Sequence, residues 1–224
     1  MNLPLAATTL DSPGATTRSP ETPFPPLPAA PVRPELGPLL AVLLMLVDEH
    51  RSAVVHVTAA AGREGTSTVA REVAAAVAAS GCKDVALVDA HPGGRGAGLL
   101  DAAERGDVPV LEPATVNGSP VATGSFSSGR VPAARLDSVR SLYAQLRTRY
   151  ALTVVDCPPV LSGGGAAVLG SAADGTVLVV EAERTRVADV NRAHELLQQV
   201  GAPVLGVVLN KSRSRVPRLI GRFL

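Results

Sequence analysis

The chain is poor in aromatic side chains, in thiols and in net charge. It has no tryptophan and only 2% aromatic residues, yet 46% of its 224 residues are hydrophobic, which is ample for the core of one α/β domain. The two cysteines, Cys82 and Cys157, stand in apolar, strand-adjacent contexts, which excludes a cysteine metal framework and predicts two buried free thiols. A net charge of +1 argues against bulk nucleic-acid binding, so we expect no nucleic-acid partner.

Long hydrophobic runs and targeting signals are also missing. The longest aliphatic run, residues 39–47, has about half the length of a membrane span. It predicts a buried helix that packs on a sheet, with a partner-docking or membrane-contact surface as the alternative. Residues 1–38 hold ten of the nineteen prolines and show no periodicity, so we expect them to be disordered. Because they lack a basic start followed by an apolar stretch, they form no secretory signal, and a cytoplasmic location is expected.

The most informative motif is a phosphate-binding loop without its lysine. Residues 60–67 read Ala-Ala-Gly-Arg-Glu-Gly-Thr-Ser and fit the frame Ala/Gly-x-x-x-x-Gly-Lys-Ser/Thr except at Thr66, where lysine is expected. The flanking segments suit such a loop, because a strand-like run at 53–57 enters it and a helical pattern at 67–80, closed by Gly81, leaves it. The sequence predicts that the scaffold is kept and the charge is lost.

The loss of this lysine affects phosphate transfer more than phosphate binding. Backbone N–H groups and the helix N-terminus still cradle an anion, and the Ser67 hydroxyl can still hold Mg²⁺. Two unit charges about 4 Å apart interact by roughly 4 kcal/mol at an effective dielectric of about 20, so several powers of ten in transfer rate are at stake. Arg63 stands where the backbone often needs glycine. It either supplies the missing cation or marks a loop freed from phosphate binding.

After the loop, the pattern alternates strands and helices. Aliphatic runs at 85–89, 152–156, 176–180 and 204–209 predict buried strands, and residues 187–200 have helical spacing. These elements predict an α/β, P-loop NTPase-like fold: a mainly parallel sheet with helices on both faces. We divide the chain into a disordered, proline-rich segment (1–38), the P-loop domain (39–212) and a basic, apolar tail (213–224).

Two carboxylates, Asp89 and Asp156, end predicted strands. The C-terminal edge of a parallel sheet is where ligands bind, and a carboxylate there reaches Mg²⁺ or its water shell beside the loop. A lone aspartate at such a position is more often a turn or cap residue. Two of them after a phosphate-loop motif favour an inherited metal site.

The order of these segments resembles the cytoplasmic domain of the bacterial tyrosine kinases, which serve capsule and exopolysaccharide export and belong with the septum-site and plasmid-partition ATPases. The resemblance covers roughly residues 50–212. It rests on the loop and on three further segments: Val-Asp-Ala-His at 88–91, Asp-Cys-Pro-Pro-Val at 156–160 and Gly-Val-Val-Leu-Asn at 206–210.

The resemblance implies ATP or ADP with Mg²⁺ as ligands. The residues that would line the phosphates are Gly62, Arg63, Glu64, Gly65, Thr66, Ser67 and Thr68. Ser67, Asp89 and Asp156 would hold Mg²⁺, and the two aspartates would be the catalytic groups if the chain is active. Asn210 matches the asparagine that contacts adenine in this family, although a simple turn residue is an equal interpretation.

The chain also departs from the family's pattern. His91 replaces the second carboxylate of an Asp-x-Asp motif, and neutral histidine is a poor substitute as a ligand of hard Mg²⁺. Tyr143 and Tyr150 are the only tyrosines, so the usual C-terminal acceptor cluster is missing. The helix used in ring assembly corresponds here to the aliphatic residues 39–47, which puts that ring in doubt and leaves other oligomers open. Residues 211–224 carry five cations and no acid. Such a segment is either a solvated tail or an anchor to an anionic membrane or to a partner.

These observations lead to three hypotheses. The first is a pseudokinase with weak or no ATP turnover, which regulates exopolysaccharide synthesis through the cytoplasmic ends of an inner-membrane polysaccharide co-polymerase. The second is an active ATPase or protein-tyrosine autokinase that uses Arg63 or a partner's residue in place of the lysine. The third is a partition-like positioning ATPase. For the first, the expected location is cytoplasmic and peripheral to the inner membrane.

Overall fold

The computed structural model describes residues 33–92, 98–126, 135–163 and 165–212. The strands of this part of the chain are β1 (Ala53–Ala59), β2 (Val85–Asp89), β3 (Glu112–Val116), β4 (Ser119–Ser125), β5 (Leu152–Asp156), β6 (Gly175–Glu181) and β7 (Val204–Asn210). Its α-helices are α1 (Gly37–His50), α2 (Thr66–Ala79), α3 (Leu99–Glu104), α4 (Leu136–Arg147), α5 (Gly165–Gly170) and α6 (Val187–Gln199).

The seven strands form one sheet in the order β3-β4-β2-β5-β1-β6-β7. Every neighbouring pair is parallel except β3 and β4. Strand β1 lies near the centre and is buried along its whole length, as expected of an aliphatic strand covered on both faces. The predicted α/β, mainly parallel fold is confirmed.

Helices cover both faces of the sheet because successive strand residues point to opposite sides. On one face, Val55 and its equivalents pack with α1 and α2, and Val73 of α2 is fully buried there. On the other face, Val54 packs with α3, α4 and α5, while Leu178 packs with α6. Helix α2 leaves the loop as predicted, and Gly81 follows it with φ of 96°, a left-handed conformation that suits glycine.

One buried cluster in this core is polar. His56, the only polar ring on β1, lies between α4 and the end of β5. Its Nε2 is 2.6 Å from the Tyr143 hydroxyl and its Nδ1 is 3.4 Å from the Cys157 sulfur. All three side chains are buried, and burial lowers the pKa of His56 to about 3. The predicted buried free thiol at Cys157 is confirmed.

Strand β7 corrects one prediction. Its aliphatic run predicts a strand buried on both faces, but β7 is the edge strand of the sheet, and Val207 and Leu209 are more than half exposed. An edge strand has a neighbour on one side only, so one of its faces can remain open even when its residues are apolar.

Helix α1 corrects a second prediction. The run 39–47 is helical, as predicted, but Leu43 is its one buried residue. Val42, Leu44 and Met45 are exposed, Met45 by 71%. Contact with α2 and β1 buries only one stripe of a helix that is apolar on all sides. Among the described residues, no helix combines the length and the apolar character needed to cross a bilayer.

The structure adds one hairpin that was not predicted and corrects the prediction for Cys82. Strands β3 and β4 form a hairpin whose two-residue turn, Asn117-Gly118, has positive φ at both positions. The Asn-Gly pair is the sequence signal that could have predicted this hairpin. Cys82, predicted as buried, is partly exposed, because it follows Gly81 in the surface turn that leads from α2 to β2.

The structure describes the N-terminal boundary of the domain but not the tail that follows it. A 3-10 turn at Pro34–Leu36 and the start of α1 at Gly37 show that regular structure begins before the predicted boundary at residue 38. Leu36 anchors this entry because its side chain is fully buried in the core. The segment before residue 33 and the tail 213–224 lie outside the described residues, so both predictions for them remain untested.

Candidate functional site

The predicted phosphate loop connects β1 to α2 with an unusual backbone. Three loop residues have positive φ: Gly62 at 124°, Arg63 at 66° and Gly65 at 89°. Gly65 precedes the first helical residue, Thr66, which is buried. Arg63 thus occupies a position that glycine would adopt without strain, as the sequence indicated. Its side chain is exposed.

The carboxylate of Glu64 is folded into the loop. It accepts hydrogen bonds from the backbone N–H groups of Ala61, at 3.0 Å, and Gly62, and the Thr185 hydroxyl approaches it at 3.4 Å. Glu64 is only 2% exposed. Two amide donors of a loop type that ordinarily cradles phosphate are therefore occupied by an anion of the chain itself.

Asn210 lies beside the loop at the end of β7. Its Nδ2 donates to the Glu64 carbonyl oxygen at 2.7 Å, and its Oδ1 accepts from Arg33 Nη1 at 2.8 Å. Arg33 also pairs with Glu72 of α2, from Nε at 2.7 Å. Both ends of the Asn210 amide are therefore engaged within the chain, and sequence reasoning did not identify Arg33 as the residue that reaches this place.

Lys211, which directly follows β7, reaches the loop. Lys211 Nζ donates to the Arg63 carbonyl oxygen at 2.7 Å and pairs with Glu181 Oε2 at 3.0 Å. Glu181 and Asn210 are register partners on β6 and β7, which explains why Lys211 arrives beside Glu181. The ammonium thus binds a backbone carbonyl oxygen of the loop and shares its charge with the Glu181 carboxylate.

The predicted strand-end carboxylates do meet. Asp89 and Asp156 are register partners on β2 and β5, so their side chains leave the same edge of the sheet. His91, two residues beyond Asp89, turns back toward them: its Nδ1 is 2.9 Å from Asp89 Oδ1 and 3.9 Å from Asp156 Oδ2. One ligand atom from each of the three residues lies within 4.8 Å of the others.

The three groups differ in their surroundings. Half of the Asp89 side chain is exposed, and the hydrogen bond with His91 lowers the pKa of Asp89 and raises the pKa of His91. The Asp156 side chain is only 10% exposed, and burial raises its pKa against the opposing effect of the Ser67 hydroxyl. Ser67 thus lies beside Asp156, as predicted, whereas Thr68 is exposed.

The cluster is a poor match for Mg²⁺. Ser67, Asp89 and Asp156 offer the oxygen ligands that this ion prefers, but the fourth group in reach is the imidazole of His91, which is paired with Asp89. Asp156 Oδ1 is buried and has no hydrogen-bond partner among the described residues. A buried carboxylate oxygen left without a partner is costly, so it marks a place where a ligand would be stabilising.

The contact between Gly65 and Asn210 leads to a stability prediction. A Cβ on Gly65 would lie 2.4 Å from Asn210 Nδ2, so Gly65→Ala must displace this amide as well as strain the backbone. Gly81 has a similar φ of 96° with open space around it, which makes Gly81→Ala the matched control. We expect about 1 kcal/mol of destabilisation for Gly81→Ala and at least about 2 kcal/mol for Gly65→Ala in urea unfolding. Equal losses would mean that the Asn210 contact contributes nothing.

No family model matches the chain. Among curated proteins, the tyrosine-protein kinase CpsD of Streptococcus agalactiae is 32% identical over 94 residues, which are 40% of this chain and 41% of that protein. The tyrosine-protein kinase YwqD of Bacillus subtilis is 29% identical over 177 residues, 73% of this chain and 74% of that protein. The match thus spans less than half of CpsD but about three quarters of YwqD.

Solved structures share the fold. The kinase domain of the Escherichia coli tyrosine kinase ETK superimposes with a TM-score of 0.62 at 21% identity, over 79% of this chain and 74% of that one. Cobyrinic acid a,c-diamide synthase from Mycobacterium smegmatis, with bound ADP and magnesium, gives a TM-score of 0.54 at 19% identity. The superposition covers 70% of this chain and 73% of the synthase chain. These likenesses agree with the predicted fold class.

Proposed function

We propose that this chain, which is similar in sequence to the tyrosine-protein kinases CpsD and YwqD, is a pseudokinase that regulates capsule or exopolysaccharide synthesis. In this proposal the domain binds nucleotide weakly or not at all and turns over little ATP. The sheet and the loop serve as a scaffold for contacts with a partner.

The observation that carries the proposal is the state of the loop. Thr66 stands in place of the lysine, and the Glu64 carboxylate already accepts hydrogen bonds from the Ala61 and Gly62 amides. An incoming phosphate would lose the attraction of the missing ammonium and meet a buried negative charge. At an effective dielectric of about 20, each such effect amounts to a few kcal/mol when the charges are about 4 Å apart.

The contacts of Lys211 support the same conclusion. Its ammonium donates to the Arg63 carbonyl oxygen and shares its charge with Glu181. Asn210, the residue expected to contact adenine, is 4% exposed and bonded at both ends of its amide. Nucleotide binding would therefore have to replace contacts that the chain has already made.

The partner in this proposal is the cytoplasmic end of an inner-membrane polysaccharide co-polymerase, with the domain on the cytoplasmic side of the membrane. The exposed apolar residues of α1, Val42, Leu44 and Met45, support such a contact. An exposed patch of this kind is more common at interaction surfaces than on isolated monomers. Contact of the C-terminal tail with the membrane belongs to the same proposal.

The experiment is a calorimetric titration of ATP and of ADP into the wild-type chain, with and without Mg²⁺, paired with a steady-state hydrolysis assay. We expect no binding tighter than the millimolar range and hydrolysis equal to buffer. Micromolar, Mg²⁺-dependent binding, together with hydrolysis that Asp156→Ala abolishes, would overturn the proposal in favour of an active ATPase or autokinase.

A further inference from the structure

The cluster of Asp89, His91 and Asp156 has a donor set that differs from that of the Mg²⁺ site expected from the sequence. We propose that these three residues form a binding site for a divalent first-row transition-metal ion, with Zn²⁺ bound more tightly than Mn²⁺ and both more tightly than Mg²⁺. The proposed site needs no nucleotide and no loop lysine, so it stands independently of the pseudokinase proposal.

The sheet brings the ligands together. Asp89 and Asp156 end adjacent parallel strands in register, and the chain after β2 returns His91 to the same edge. The His91 backbone N–H donates to Asp89 Oδ1 at 2.9 Å, which fixes this return. The ligand atoms are close enough for one ion to bind all three, since they already lie within 4.8 Å of one another.

An independent observation points to a ligand in this cluster. The Asp156 side chain is nine-tenths buried, and its Oδ1 lacks a hydrogen-bond partner among the described residues. Its other oxygen faces His91 Nδ1 at 3.9 Å, too far for a hydrogen bond. The Ser67 hydroxyl hydrogen-bonds the Asp156 carboxylate, but Oδ1 remains without a partner among the described residues, and a bound cation would supply the missing contact.

The donor set decides which cation fits. Mg²⁺ demands oxygen ligands in an octahedral arrangement, whereas an imidazole beside two carboxylates suits borderline ions such as Zn²⁺ and Co²⁺. Mn²⁺ is a harder ion and lies between these and Mg²⁺. For a given mixed nitrogen and oxygen site, affinity rises along the series from Mn²⁺ to Co²⁺ and remains high at Zn²⁺. His91 in place of a second aspartate therefore changes the selectivity of the site rather than destroying it.

The test is a calorimetric titration of Zn²⁺, Mn²⁺ and Mg²⁺ into the full chain without nucleotide. We expect one Zn²⁺ per chain, and at least about tenfold weaker Zn²⁺ binding in His91→Ala. His50→Ala is the matched control, because His50 is an exposed histidine at the end of α1, away from the cluster, and we expect its loss to change nothing. Unchanged Zn²⁺ affinity in His91→Ala, or an equal loss in His50→Ala, would refute the proposed site.

A variant that should reverse the preference between Zn²⁺ and Mg²⁺ gives a second test. His91→Asp restores an all-oxygen set, so we expect Zn²⁺ affinity to fall and Mg²⁺ affinity to rise by about tenfold each. A second readout uses the wild-type chain alone: bound Co²⁺ should show visible absorption that Zn²⁺ removes and Mg²⁺ does not. A wild-type chain that prefers Mg²⁺, or Co²⁺ bands that Mg²⁺ displaces equally well, would contradict the proposal whatever the outcome of nucleotide titration.

Discussion

Replacing Thr66 by lysine should raise the affinity for ATP by about 100-fold or more, as measured by calorimetry at fixed Mg²⁺ concentration. The substitution returns an ammonium to the first residue of α2, where the loop directs it at the phosphates. An attraction of roughly 4 kcal/mol at about 4 Å corresponds to nearly three powers of ten, and part of it is offset by ordering the lysine side chain.

The Glu64 carboxylate sets the limit of this gain. In Thr66→Lys it can pair with the new ammonium instead of leaving it to the phosphate, since both residues lie in the same loop. Glu64→Gln removes this competing charge and keeps one acceptor for the amides. We therefore expect the double variant to bind ATP more tightly than the sum of the two single effects predicts.

Two outcomes would contradict this account of the loop. If Thr66→Lys binds no ATP although its unfolding curve matches that of the wild type, the loop backbone itself is unable to hold phosphate. If Glu64→Gln alone restores micromolar binding, the lysine loss is secondary and the internal carboxylate is the main obstacle. Ala79→Lys, at the exposed last residue of α2, controls for a general effect of positive charge.

The central part of the fold could be predicted because its signals are local. Strands β1, β2, β5 and β6 are continuous aliphatic runs, which are typical of a sheet covered on both faces. The meeting of Asp89 and Asp156 also followed from the sequence, since parallel strands of similar length end at one edge. What the runs did not contain was the position of each strand in the sheet, so β7 was not recognised as an edge strand.

The missed features depend on contacts between distant residues. Strands β3 and β4 contain proline, glycine and serine, so their pairing rests on the Asn117-Gly118 turn and on contact with β2. The place of Arg33 beside Asn210, 177 positions away, has no local signal at all. The contact between His91 and Asp89 could not be predicted from the sequence. The sequence showed only that histidine replaces a carboxylate at position 91.

The second large effect concerns acid stability. We expect the free energy of unfolding to fall steeply below pH 6.5, by about 1.4 kcal/mol per pH unit, because of His56. The ring is buried between Tyr143 and Cys157, and protonation would place a charge in an apolar core. Its pKa is about 3 in the folded chain and about 6.5 in the unfolded chain.

The sign follows from these two values. Between pH 6.5 and pH 3 the unfolded chain binds a proton at this position and the folded chain does not, so acid favours unfolding. The full shift amounts to about 5 kcal/mol, and roughly 2 kcal/mol of it is lost between pH 7 and pH 5. The lowered pKa of Asp89 acts in the same direction at lower pH, whereas the raised pKa of Asp156 acts in the opposite direction.

Urea unfolding at pH 7 and at pH 5 separates His56 from these other groups. His56→Gln keeps a neutral polar side chain beside Tyr143 and removes the titrating ring, so its stability should change little between the two pH values. Because Asp89 and Asp156 remain in both proteins, the difference between the two slopes isolates His56. In the intact chain, the His56 ring resonances should not shift in NMR spectra between pH 7.5 and 4.5. A His56 ring that titrates in this range would show that the core admits the charge, and the steep loss of stability would then have to come from the carboxylates.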